Sequence, residues 1–285
     1  MTDQPTVALL GTGTMGAGMA RNIAAARIPL TVWNRTRSKA EPLAEAGIEV
    51  ADSPADAVRD ADLVVTMLFD VESVESALDE ARDGLKQGAI LVQQSTVGVA
   101  GADALAARAA SLGLVYLDAP VLGTKQPAEN GALVILASGP DEVRDRVAPL
   151  FEAIGSRTVW VGEAGQGTRL KLVANSWVLT VTEGIAESLT LAKALGVEPR
   201  QFLDVVKGGA MDAPYVQLKG AAMLDGDFAP SFGLDGAAKD AALIVEAARA
   251  AGADLAVIDA VQQHFARALD AGHGDLDMAA TFLEH

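Results

Sequence analysis

A chain of 285 residues makes two domains the first expectation, at about 150 residues each. Half of its residues are hydrophobic and 21% are charged, which supplies a large core and excludes a disordered chain. The net charge of −16 repels phosphate backbones and anionic lipid surfaces, and the absence of cysteine excludes disulfides, thiolate metal sites and thiol nucleophiles.

The opening Met1-Thr2-Asp3-Gln4-Pro5 has no basic segment running into an apolar one, so no secretory signal is expected. No apolar stretch approaches the ~18 residues that span a membrane. These features predict a soluble, cytoplasmic protein with neither nucleic acid nor membrane as partner.

Along the first half, apolar runs at 7–10, 30–33, 63–68, 90–92, 114–117, 133–137 and 158–161 predict strands. Ala-rich stretches of helical spacing at 15–26, 71–81, 98–110 and 141–154 lie between most of them. Strands alternating with helices predict βαβ units in a parallel sheet. The run Leu63-Val64-Val65-Thr66-Met67-Leu68 shows no polar alternation, as expected of a strand covered on both faces.

No strand is predicted after residue 161. A long helix is expected over 168–195, and further Ala-rich helices are broken at Pro199, Gly208-Gly209, Pro214, Gly226, Pro230 and Gly252. The composition shift sets the expected domains at 1–163 and 164–285. The long helix carries Leu170, Val173, Trp177, Val178, Val181, Ile185 and Leu189 around most of its circumference, which predicts burial on more than one side. A homodimer or larger homo-oligomer would supply that cover.

The best local motif is Gly11-Thr12-Gly13-Thr14-Met15-Gly16, directly after the 7–10 strand and opening a helix. Gly11 suits the tight turn, Gly13 close approach of a pyrophosphate, and Gly16 tight helix–strand packing. The pyrophosphate would meet the unpaired N–H groups of the helix start. About 20 residues past the last glycine, a carboxylate would select NAD through the ribose 2′-OH. Here Asn34, Arg35 and Thr36 occupy that place, and a guanidinium suits the 2′-phosphate of NADP(H). Arg37 adds a further charge.

Gln93-Gln94-Ser95-Thr96 ends the 90–92 strand and Asp118-Ala119-Pro120-Val121 ends the 114–117 strand, so both fall on the carboxyl edge of the sheet, where such folds bind ligands. Met67 and Leu68 end the 63–68 run at that edge and join the expected cofactor contacts. Lys171 and Asn175 share one face of the long helix, and Lys239-Asp240 opens a later helical stretch.

Taken in order, the Gly11–Gly16 turn, Ser95-Thr96, Asp118-Ala119-Pro120-Val121, Gly165-Gln166-Gly167 leading to Lys171 and Asn175, and Lys239-Asp240 resemble the β-hydroxyacid dehydrogenases over nearly the whole chain. The segment from Gly123 to Gly131 is most similar to the glyoxylate/succinic semialdehyde reductase branch. The resemblance implies an α/β N-terminal Rossmann domain, doubly wound with a mostly parallel sheet, a long interdomain helix and an all-α C-terminal domain. It also implies Lys171 as catalytic lysine, Asn175 as substrate-binding amide, Lys239 at the substrate and cofactor site, and Thr96 near the nicotinamide. Leu122 departs from the family's usual serine, whose hydroxyl and following amides hold the substrate carboxylate. Gly123 and Thr124 are the expected substitutes. Leu122 also widens the substrate class from small aldehydes and oxo acids to imines.

The chemistry is consistent with those residues: reducing a carbonyl builds negative charge on oxygen, and an ammonium both stabilises it and delivers a proton. Two competing expectations are an imine reductase, in which the lysine is usually replaced, and a non-catalytic NADPH-binding protein. His264, His273 and His285 show no metal-ligand spacing, so no metal is expected and solvent-exposed imidazoles are. Asp277 is expected to cap the last helix.

Overall fold

The computed structural model describes residues 4–285; Met1-Thr2-Asp3, part of the segment read for a signal, lies outside the described residues. The chain divides into two compact units, Met1–Lys171 and Leu172–His285.

The first unit begins with β1 (Val7–Leu10), α1 (Gly16–Ala25) and β2 (Leu30–Trp33), followed by the short α2 (Glu41–Ala44), β3 (Glu49–Val50) and α3 (Pro54–Val58). Then come β4 (Leu63–Thr66), α4 (Val71–Ala81), β5 (Ile90–Gln93), α5 (Gly98–Ser111) and β6 (Val115–Asp118). These six strands form one sheet in the order β3-β2-β1-β4-β5-β6, every pair parallel. The order reverses beside β1, the point at which doubly wound sheets bind nucleotides.

Alternate residues of each strand serve opposite faces. Val7, Leu9, Val65 and Val92 pack with Met19 and Ile23 of α1, while Ala8, Leu10, Val64 and Leu91 pack with Val74 and Leu78 of α4 and Leu105 of α5. Both faces are thereby dry, which is why the 63–68 run lacks polar alternation.

One expectation of the sequence needs correction. The runs at 133–137 and 158–161 do not extend the main sheet. They lie in β8 (Leu133–Ala137) and β9 (Gly155–Trp160), which with β7 (Val121–Leu122) form a separate three-stranded sheet. Its β7–β8 pair is antiparallel and β8–β9 is parallel. Helices α6 (Lys125–Glu129) and α7 (Arg144–Ile154) connect these strands. A Cβ on Gly18 of α1 would lie within 3.0 Å of backbone atoms of Ala128 and Glu129, so α1 and α6 touch closely.

Helix α8 (Gln166–Ala194) runs on from the first unit. The second unit adds α9 (Arg200–Val206), α10 (Pro214–Asp225), α11 (Leu234–Ala250), α12 (Ala256–Asp270) and a 3-10 turn at Met278–Glu284. Ile185, Ala186 and Leu189 of α8 pack with Leu203, Met223 and Ala279. A buried ion pair, Lys219 Nζ to Asp277 Oδ1 at 2.5 Å, ties α10 to the 3-10 turn. Asp277 also accepts from the Ala279 N–H, so it caps that turn as expected. No helix among the described residues is long and apolar enough to cross a membrane.

Candidate active site

The Gly-rich turn is built by close backbone approach. Gly11 has φ +108, and a Cβ there would sit 2.2 Å from the Met67 carbonyl oxygen. A Cβ on Gly16 would sit 2.0 Å from the Gly11 carbonyl oxygen. Both glycines are demanded by the protein itself. Gly13 is different: nothing lies within 4 Å of its Cβ position, so glycine there leaves open space in front of the α1 N-terminus. That open cradle fits a dinucleotide pyrophosphate held by helix-start N–H groups.

Asn34 ties the turn to the end of β2. It accepts from the Thr12 N–H at 2.9 Å, and its amide donates to the Thr36 carbonyl at 3.0 Å. Arg35 is exposed and forms no ion pair among the described residues. Arg37, expected to offer a charge, is instead committed to Asp52 and Glu41. Beyond β4, the Leu68 N–H donates to Ser95 Oγ at 2.8 Å, and Met67 and Leu68 are half-buried at the carboxyl edge with Thr96. Thr12 Oγ1 and both polar atoms of the Gln94 side chain are buried without a hydrogen-bond partner among the described residues.

Lys171 lies in the second turn of α8, and its Nζ donates to the Val121 carbonyl of β7 at 2.8 Å. The ammonium is thus held beside the Leu122-Gly123-Thr124 segment. Gly123 has φ +127, and a Cβ on it would press Leu133 and Pro127 at 2.8 and 2.9 Å, so the turn leaving β7 requires glycine.

What fixes α8 under Lys171 is a group to which the sequence reading gave no role. Asp118, at the end of β6, is fully buried. It accepts from Thr168 N–H and Thr168 Oγ1, each at 2.7 Å, and from Ser138 Oγ at 3.1 Å. Ser138 Oγ in turn accepts from the Gly167 N–H at 2.8 Å. A Cβ on Gly167 would lie 2.2 Å from the Leu136 carbonyl, so the helix start is pressed onto β8. Burial pushes the Asp118 carboxyl above its ordinary range, against the downward pull of the Thr168 and Ser138 hydrogen bonds.

In the second unit, Asp240 was missed in the same way. It is buried, and it accepts from Asn175 Nδ2 at 2.7 Å and pairs with Lys239 Nζ at 2.8 Å. Asn175 and Lys239 are therefore joined through a shared carboxylate. The motif Lys239-Asp240 carried that signal, since a carboxylate after a site lysine is a natural orienting partner. The expectation of exposed imidazoles also fails: His285 is only 8% exposed in its side chain, and His264 is stacked on it at 4.6 Å. Trp177, expected to be covered on the long helix, is 68% exposed.

Known proteins are similar to this chain in sequence and fold. Residues 6–162 match the family described as the NAD binding domain of 6-phosphogluconate dehydrogenase, and residues 165–283 match the NAD-binding family of NADP-dependent 3-hydroxyisobutyrate dehydrogenase. The chain is 33% identical to glyoxylate/succinic semialdehyde reductase 2 of Arabidopsis thaliana, over 96% of this chain and 78% of that protein. It is similar in structure to a Mycobacterium tuberculosis 3-hydroxyisobutyrate dehydrogenase solved with L-serine, at 28% identity and a TM-score of 0.88 over 99% of both chains. An imine reductase of Myxococcus stipitatus in complex with NADP+ matches at 25% identity and a TM-score of 0.64, over 97% of this chain and 98% of that one. The chain belongs to the β-hydroxyacid dehydrogenases, an oxidoreductase family built on NAD(P)-binding domains.

Proposed function

We propose that this protein is an NADPH-dependent reductase of small semialdehydes or oxo acids, with Lys171 as the proton donor. The observation that carries the reading is the Lys171 ammonium held 2.8 Å from the Val121 carbonyl, next to the Gly123 and Thr124 backbone. When bound, the reduced nicotinamide supplies the hydride. Lys171 Nζ gives its proton to the substrate oxygen as negative charge grows there, and its remaining N–H groups stabilise that charge. Gly123 and Thr124 offer donors for the substrate carboxylate in place of the missing serine hydroxyl. Asn175, one helical turn beyond Lys171, holds a second substrate oxygen, and Lys239 adds positive charge for an anionic ligand.

For the cofactor, Gly11, Thr12, Gly13, Thr14, Met15 and Gly16 take the pyrophosphate. Asn34, Arg35 and Thr36 take the 2′-phosphate end, and Met67, Leu68, Thr96 and Lys239 line the nicotinamide side. Arg35, exposed and in no ion pair among the described residues, supports NADPH over NADH, because a 2′-phosphate is the natural partner of a guanidinium at that place. The domains proposed are 1–163 for cofactor and 164–285 for substrate and assembly.

A second reading, an imine reductase, is favoured by one feature only, Leu122, which removes a hydroxyl from the substrate side. Lys171 speaks for the carbonyl reaction. The exposed Val173 and Trp177, one turn apart on α8, support a homodimer, and sedimentation as a monomer at micromolar concentration would count against it. A cytoplasmic setting agrees with the acidic, cysteine-free composition.

The experiment is NADPH oxidation across a panel of semialdehydes, oxo acids, ketones and cyclic imines, repeated with NADH. The proposal expects the fastest turnover with a semialdehyde or oxo acid and NADPH. Faster turnover of cyclic imines selects the second reading, and cofactor binding without turnover of any carbonyl or imine defeats both.

A further inference from the structure

Three side chains far apart in sequence converge within the second unit. Glu183 of α8, His264 of α12 and His285 bring one ligand atom each to within 4.8 Å of one another. Glu183 Oε1 lies 2.8 Å from His264 Nδ1 and 2.6 Å from His285 Nε2, and the two ring nitrogens are 3.2 Å apart. The Glu183 and His285 side chains are only 6% and 8% exposed, and that of His264 is 21% exposed.

We propose that Glu183, His264 and His285 form a binding site for a divalent transition ion of the zinc class. Two imidazoles and one carboxylate are the donors such an ion takes, with water completing a tetrahedron. Ligand atoms about 2.1 Å from zinc stand roughly 3.4 Å from one another. The imidazole–imidazole edge already lies near that spacing, and the two carboxylate–imidazole edges lengthen by about 0.6 and 0.8 Å to admit the ion. The carboxylate is also oriented from behind, as metal ligands usually are: Thr281 Oγ1 donates to Glu183 Oε2 at 2.9 Å. His264 opens toward solvent through a surface hollow lined by Gln262, Gln263, Arg267 and Asp270. Arg267 lies against the cluster, 2.8 Å from His264 Nδ1, and its exposed side chain has solvent to swing into when the ion enters.

The test uses the untagged full chain, stripped with chelator and titrated with zinc chloride by calorimetry, with bound metal counted by elemental analysis. The expected result is one zinc per chain with micromolar or tighter affinity and a higher melting temperature. His264→Ala and His285→Ala should each weaken zinc binding at least tenfold, and Thr281→Val about tenfold through the carboxylate. His285→Ala leaves the helices intact, so it keeps the test decisive even where Glu183→Gln fails to fold. Zinc binding below one equivalent at tens of micromolar, or affinity unchanged in both histidine variants, overturns the proposal.

Discussion

Removing the Asp118 carboxylate should loosen the start of α8. In Asp118→Ala three hydrogen bonds vanish together, from Thr168 N, Thr168 Oγ1 and Ser138 Oγ. Hydrogen bonds to a charged acceptor are worth about 1.5–3 kcal/mol each, and the buried Thr168 N–H is left unsatisfied. Relief from holding a charge in a fully buried place returns part of that loss, so the net cost is about 3 kcal/mol. At about 2–4 °C per kcal/mol for a unit of this size, Tm falls by about 6–12 °C. Asp118→Asn separates charge from shape. Its amide oxygen can accept from Thr168 N and Ser138 Oγ, and its NH2 can donate to Thr168 Oγ1 once that hydroxyl turns, so the variant should stay within about 1 kcal/mol of the parent. The pH dependence follows from the raised carboxyl. The unfolded chain releases this proton near the ordinary 3.8 and the folded chain only higher. The parent therefore loses stability as pH climbs between those two values, and Asp118→Asn lacks that component. Thermal unfolding followed by circular dichroism from pH 4 to 7 measures all three proteins. An alanine variant melting with the parent, or an asparagine variant as unstable as the alanine one, would refute the reasoning.

Other consequences are equally direct. Gly16→Ala places a Cβ 2.0 Å from the Gly11 carbonyl and should lower both stability and NADPH affinity, whereas Gly13→Ala meets no protein atom, so it should cost under about 0.5 kcal/mol yet weaken cofactor binding in a fluorescence titration. Arg35→Ala should cut the NADPH-over-NADH preference in kcat/KM by about 10–100-fold, the value of one charge-assisted contact of about 1.5–3 kcal/mol. Lys219→Met strands a buried carboxylate and should cost about 3–5 kcal/mol in denaturant unfolding. Burial raises the Asp277 carboxyl, but the Lys219 and Ala279 donors outweigh it and hold it below 3.8. Its contribution is therefore present above that value and disappears as pH falls through the depressed one, a component the Lys219 variant should lack.

The first half of the fold was legible because its signals are local. The β1 run, Gly11–Gly16 and the start of α1 are consecutive, and both-face burial shows in the lack of polar alternation at Leu63-Val64-Val65. The two-residue strands β3 and β7 have no periodicity to read. The second sheet was hidden for another reason: whether 133–137 joins the main sheet depends on its antiparallel partner Val121-Leu122, a pairing that no local pattern declares. Lys171 and Asn175 stood out by helical spacing and resemblance. Asp118 and Asp240 did not, since each acts by holding another residue, from 50 and 65 positions away. The Glu183, His264 and His285 cluster was invisible for the same cause, its members being far apart in sequence and brought together only by the tertiary fold.

In the proposed reaction the Lys171 amine supplies the proton. Lys171→Ala, assayed against the best substrate of the panel with NADPH binding measured in parallel, tests it most directly. NADPH affinity should stay unchanged while kcat falls by about 10²–10⁴-fold. A variant that binds NADPH and turns over at the parent rate would contradict it.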